Sequence, residues 1–219
     1  MKPFIIDIET TGRQDADAFL PTIAAPANYK DETKRNNYVK ERREQLLDSA
    51  ALDAALGCVL CVGILRNGAA PQFLHDQNER QLLHQVWLTL NTREASERFV
   101  TFNGHRFDFP FLVRRSFALG VPLPEWFPRD GRFLRHLFCD LADLWACGDR
   151  SELISLDRLA RLCGLPGKAG NGADFAKLWE QNRKAALAYL EQDLRLTLAL
   201  WNHLGCAAKP STIEYAHAE

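Results

Sequence analysis

Short β-type runs along the chain alternate with longer helical ones. Phe4-Ile5-Ile6-Asp7-Ile8-Glu9 starts as a continuous apolar run and then alternates with acids, which predicts a strand near Pro3 to Ile8 ending in a polar turn, Thr10-Thr11-Gly12. Further β-branched and aromatic runs predict strands at Cys58 to Arg66, Gln72 to His75, Arg98 to Phe102 and, shorter, Phe138 to Leu141. Asn67-Gly68 has the chemistry of a hairpin turn between the second and third of these. Apolar positions three and four apart predict helices over Glu79 to Leu90, Phe111 to Leu119, Leu156 to Cys163, Ala173 to Glu180 and Arg183 to His203. Strands interleaved with helices imply an α/β architecture, a mixed sheet with helices on its faces. Between the first two strands, Pro21 to Gly57 reads as a loop followed by helix. It holds Pro21 and Pro26, a charged segment from Lys30 to Glu44, and an Ala/Leu-rich run from Leu46 to Leu56. From Gly205 onward the chain reads as a tail without a motif.

Three places along this pattern carry acids of chemical interest. Residues two apart in a strand share a face, so Asp7 and Glu9 project together while Ile6 and Ile8 go to the opposite side. Two carboxylates held that close repel, and a shared divalent cation relieves the repulsion; a polar strand end without one is the alternative reading. The run Phe99 to Phe102 ends at Asn103-Gly104 and leads through His105, Arg106 and Phe107 to Asp108, with Pro110 suited to the first turn of the next helix. Asp108 is thereby placed near a helix N-cap, a position that could be its whole role. Tyr189 and Asp193, four apart in the last helix, lie one turn apart on one face, as residues of a solvated face would also do.

In order, Asp7-Ile8-Glu9, the stretch from Asn103 to Phe107-Asp108, and Tyr189 to Asp193 resemble the three motifs of the DEDD (DnaQ-like) 3'-5' exonucleases, which are built on the ribonuclease-H-like fold. Tyrosine in the third motif is similar to the DEDDy subgroup, which includes the proofreading domains of family B DNA polymerases and stand-alone exonucleases related to them. The resemblance runs from about Pro3 to His203. It implies a mixed five-stranded sheet flanked by helices, with a helical insertion between strands 1 and 2. The corresponding division is one exonuclease domain over 1–204, its insertion at 21–57, and a tail at 205–219. The implied reaction is hydrolysis at the 3' end of single-stranded nucleic acid, DNA in preference to RNA, releasing nucleoside 5'-monophosphates. By the same resemblance Asp7, Glu9, Asp108 and Asp193 hold two divalent cations, Mg2+ or Mn2+. Asp7 bridges both, Glu9 and Asp193 serve the ion with the attacking water, Asp108 serves the other, and Tyr189 orients the water. Thr10, Thr11, Asn103, His105, Arg106, Phe107 and Lys168 are the candidate strand contacts. A polymerase or repair protein is a candidate partner.

Elementary chemistry agrees with this set. Oxygen-only ligands select hard cations, and a tyrosine with an ordinary pKa near 10 is a hydrogen-bond partner at neutral pH rather than a base. A net charge of -1 over 219 residues argues against holding long duplexes by charge alone and favours a local contact with a short single strand. Positive charge concentrates at Lys30 to Arg43, at Arg114-Arg115 and at Arg129 to Arg135, each of which also reads as solvated surface. The Gly-rich stretch Gly164 to Gly172 lacks the spacing and the hydroxyl of a P-loop, so it predicts a flexible connection offering Lys168 to a phosphate. Asp140 and Asp143 read as structural. Cys58 and Cys61 sit in a β-run, where residues three apart face opposite sides, so buried thiols are expected rather than a metal pair. With no membrane-length apolar run and Lys2 leading directly into the first strand, a cytoplasmic protein is expected. The competing readings are a module that binds nucleic acid without cutting and an RNA-trimming exoribonuclease. A P-loop nucleotide hydrolase would lack its phosphate loop.

Overall fold

The computed structural model describes residues 1–66, 68–127, 138–168 and 172–205. Five strands form one mixed sheet in the order β3-β2-β1-β4-β5. They are β1 (Lys2–Gly12), β2 (Gly57–Arg66), β3 (Gln72–Leu74), β4 (Glu97–Thr101) and β5 (Phe138–Asp140). β1 is central: it pairs antiparallel with β2 and parallel with β4, while β4 pairs parallel with β5 and β2 antiparallel with β3.

β1 runs well past its predicted end. Thr10, Thr11 and Gly12 are not a turn; they continue the ladder opposite Val59, Cys58 and Gly57. The β2 backbone opposite them satisfies their amides and carbonyls, and an irregularity between Glu9 and Thr10 lets the register pass over Leu60. Ile6 and Ile8, with Phe4 and Phe99, bury one sheet face under α2 (Glu79–Leu90) and α3 (Asp108–Leu119). Ile5 and Val100 face the other way, under α5 (Leu156–Leu162) and α7 (Arg183–His203). Asp7 and Glu9, in phase with Ile5, therefore point to the side of α7.

Differences from the predicted elements are local. α3 begins at Asp108, with Phe107 at its N-cap and Pro110 in the first turn, so Asp108 is the first helical residue and its side chain is not the cap. A short helix, α4 (Leu141–Ala146), follows β5 directly because Asp140 caps it, accepting the amide hydrogens of Ala142 and Asp143. α6 (Phe175–Gln181) starts after a single 3-10 turn at Gly172–Asp174. The insertion forms α1 (Glu32–Asp48), capped by Asp31, which accepts the Lys34 amide at 2.9 Å. A 3-10 turn at Ala50–Leu52 then leads into β2.

Arg115 is no strand contact. Heptad spacing from Asp108 turns it inward, and its guanidinium meets the Glu79 carboxylate at 2.6 and 3.0 Å and the Ala54 carbonyl at 3.1 Å. Glu79 also accepts the Val59 amide at 2.9 Å, so this pair, with Arg115 buried and Glu79 half-buried, fastens α2, α3 and the root of the insertion to β2. Cys61 is buried and its thiol is pushed up to about 12 by burial; Cys58 is only half-buried. Asn67, the Arg129 to Arg135 segment, the connection at 169–171 and the tail from 206 lie outside the described residues. Among the described residues no helix is long and apolar enough to cross a membrane.

Candidate active site

One carboxylate oxygen from each of Asp7, Glu9 and Asp193 lies within 4.8 Å of the others. Strand periodicity delivers the first two, and the third depends on how closely α7 lies on the sheet. Gly63 sits directly opposite Asp7 in β2, and a Cβ there would meet Leu190 Cγ and Leu194 Cδ1 at 2.9 Å. The missing side chain lets α7 settle against β2, which lowers Asp193 to the level of the strand acids. An isolated glycine inside a strand pattern is the sequence signal for such a close approach.

Packed together with Lys168 as their one nearby cation among the described residues, these acids resist ionisation. Burial, then the charge of Asp193, raises the Asp7 carboxyl to about 7. Burial, then the charges of Asp7 and Asp193, raises Glu9 to about 10. Asp193 is raised by burial against the opposing pull of Lys168. Asp108, 3% exposed, stands outside the trio: its Oδ1 accepts the Ile8 amide at 3.0 Å, and burial followed by the Asp7 charge raises its pKa well above the ordinary range. That bond ties the start of α3 to the strand residue lying between the two acids.

Two further oxygens are unsatisfied here. Asp193 Oδ1 and the Tyr189 hydroxyl are buried with no hydrogen-bond partner among the described residues. The phenol is pushed up to about 12, chiefly by burial, so it stays protonated at neutral pH and can donate. Three carboxylates with orphaned oxygens beside them suit a hard, oxygen-seeking cation, the class to which Mg2+ and Mn2+ belong.

Lys168 already reaches this point. Its ammonium hydrogen-bonds Asp193 Oδ2 and lies 5.0 Å from the centre of the Tyr189 ring. The backbone that delivers it is pinned: the Lys168 amide donates to Asp157 Oδ1 at 2.8 Å and the Gln192 side chain donates to the Gly167 carbonyl at 3.3 Å. A Cβ at Gly167 would come within 2.6 Å of the Asp157 carboxylate, so the absence of a side chain there leaves that carboxylate room to hold the turn. Although burial works against its charge, the bond to Asp193 raises the Lys168 pKa.

The other candidate contacts sit around the acids. Thr10 Oγ1 donates to the Ala51 carbonyl at 2.6 Å, and Thr11 continues the ladder opposite Cys58. Asn103 takes a left-handed conformation, φ 64°, which bends the chain after β4. The amides of Asn103 and His105 both donate to Asp140, at 2.8 Å each. His105 Nδ1 lies 3.1 Å from Asp143, which also pairs with Arg106, and the Phe107 ring packs on Phe111 at 5.5 Å. Of the seven, Lys168 alone bonds one of the four acids. Asp140, seemingly just the end of a strand, shapes the turn that presents Asp108. Its local signal is that of a helix cap: an Asp ahead of an apolar run, with Asp143 in the first turn.

Comparison with known proteins gives a consistent picture. Residues 72–210, more than half of the chain, match the family described as predicted 3'-5' exonucleases related to the exonuclease domain of PolB. Asp7 and Glu9 precede the matched stretch. The chain is 34% identical over 113 residues to DNA polymerase 1 of Aeropyrum pernix, an alignment covering 46% of this chain and 12% of that polymerase. Its fold is similar to that in the structure of the family B DNA polymerase from the hyperthermophilic archaeon Pyrobaculum calidifontis. There the TM-score is 0.59 at 18% identity, covering 93% of this chain and 24% of the other. The chain thus spans a small part of either polymerase.

Proposed function

Because the chain belongs to the family of predicted 3'-5' exonucleases related to the exonuclease domain of PolB, we propose that it trims the 3' end of single-stranded nucleic acid, DNA in preference to RNA, to nucleoside 5'-monophosphates. The observation that carries this reading is the convergence of Asp7, Glu9 and Asp193 within 4.8 Å on the face of the sheet beneath α7. Asp7, Glu9 and Asp193, with Asp108 beside them, would hold two divalent cations. When bound, such ions neutralise the phosphate, lower the pKa of water and support the leaving oxygen of an in-line displacement.

The chain's own groups supply the rest. The protonated Tyr189 hydroxyl donates a hydrogen bond that orients the attacking water. Lys168, bonded to Asp193 here, would be free to meet a phosphate oxygen if a divalent cation occupied the acids. Asp140 and Asp143 keep the 103–106 turn, and with it Asp108, in register with β1.

A strand labelled at its 5' end, incubated as DNA and as RNA with Mn2+ or with EDTA, tests the proposal. Expected are metal-dependent ladders, faster on DNA, that vanish with Asp7→Asn. Endonucleolytic fragments, or laddering in EDTA, would refute it. One observation favours a second reading, a module that binds without cutting: Lys168 already neutralises Asp193. Metal-dependent binding with no product in any lane would establish that alternative.

A further inference from the structure

The insertion helix α1 buries none of its 17 residues, which is unusual for a helix kept for packing alone. Few residues hold it: Leu46 and Leu47 rest on Ala16, Ala50 and Leu56, Arg43 pairs with Asp17, and Tyr38 and Val39 are half-buried in its middle. A helix of this length extends about 25 Å, so most of it stands clear of the domain. One face carries no acid: Lys34, Arg35, Tyr38, Arg42 and Gln45 recur there at helical spacing, Glu41, Glu44 and Asp48 lie along its flank, and Glu32, Lys40 and Arg43 lie on the remaining sides. Lys34 and Arg35 are exposed and make no ion pair among the described residues. Tyr29 packs edge-on against Tyr38 with ring centres 5.7 Å apart, which sets two aromatic rings beside Lys30 and this basic stripe.

The root of the insertion borders the acids. The turn after α1 accepts the Thr10 hydroxyl through Ala51, one residue beyond Glu9. A basic stripe with interleaved aromatic rings fits the backbone and bases of a single strand. We propose that α1 is a docking rail for the 5'-ward part of the strand whose 3' end enters the site, with Lys34, Arg35 and Arg42 meeting phosphates and the Tyr29–Tyr38 pair offering a base a stacking surface. This rests on the exonuclease reading for the location of the 3' end, but its test is one of binding alone.

Affinities are measured by fluorescence anisotropy on the full chain, with Ca2+ replacing Mg2+, for single-stranded DNA of ~4 and ~20 nucleotides at several salt concentrations. The wild-type protein is expected to bind the longer strand more tightly. Lys34→Ala/Arg35→Ala/Arg42→Ala should weaken the longer strand by roughly tenfold, lower its salt slope by about 2, and leave the shorter strand within about twofold. Tyr38→Ala should weaken the longer strand with no change in slope, because it removes stacking and no charge. Glu41→Gln/Glu44→Gln, on the flank, should not weaken it. An unchanged affinity of the triple variant for the longer strand overturns the proposal, and so does an equal loss for both lengths. An inactive wild-type protein would sink the exonuclease reading, yet the length dependence would still decide whether α1 docks the strand.

Discussion

Replacing Asp7 with Asn should make the cation-free protein more stable while abolishing its response to Mn2+. Asp7 is raised from an unfolded value of 3.8 to about 7 in the folded chain, mainly by burial and then by the charge of Asp193. A group whose folded pKa is raised keeps full native stability below its unfolded pKa. Stability then falls as pH climbs toward the folded pKa, because the unfolded chain ionises first. The displacement corresponds to on the order of 4 kcal/mol of penalty at about pH 8. That is an upper bound, because Asp7 retains some contact with solvent and Asp193 shares the repulsion; about half is a reasonable expectation. For a chain of this size, about 2 kcal/mol moves the Tm by roughly 4–8 °C. Thermal unfolding in EDTA at about pH 8 should therefore show Asp7→Asn melting higher than wild type, with the gap closing toward pH 4. Added Mn2+ should raise the wild-type Tm, since a ligand at 100-fold its Kd contributes about 2.7 kcal/mol, and leave the variant unmoved. A variant that melts at or below wild type in EDTA at pH 8, or a gap that persists unchanged at pH 4, would refute the reasoning.

Lys168→Met should tighten Mn2+ binding about tenfold by calorimetry, because Asp193 loses a competing charged hydrogen bond, while turnover falls for want of the phosphate contact. Arg115→Met should cost about 2–3 kcal/mol in urea unfolding, leaving the part-buried Glu79 with only the Val59 amide, and Arg115→Met/Glu79→Met should cost less than the sum of the two single changes. Asp140→Ala removes the acceptor for the amides of Asn103, His105 and Ala142 and should lower both stability and Mn2+ affinity; Asp140→Asn, which keeps one acceptor oxygen, should recover part of each.

The sheet, most helices and the pairing of Asp7 with Glu9 were legible because each is written in local periodicity. Tyr189 and Asp193 were legible for the same reason, being one helical turn apart. The features that local periodicity does not carry join distant segments. A separation of 25 positions hides the bond between Lys168 and Asp193, and Arg115 looks like surface charge until Glu79 and Ala54 come to meet it. Thr10 to Gly12 looked like a turn because polar residues and glycine favour turns in isolation; only β2 lying opposite keeps them extended. Asp108 carried the right residue type for a helix cap, yet its carboxylate turns to the Ile8 amide, a choice made by the neighbouring strand and not by its own helix.

Gly63 supplies no ligand, no charge and no hydrogen-bonding side chain, yet the spacing of the acids hangs on it. A methyl group at that position would press on Leu190 and Leu194 and lift the helix that carries Tyr189 and Asp193. The three carboxylates would then stop being one seat for a cation and become a strand pair and a distant helical acid. The separation of the three carboxylates is therefore gauged by a hydrogen atom, on a strand that contributes none of them.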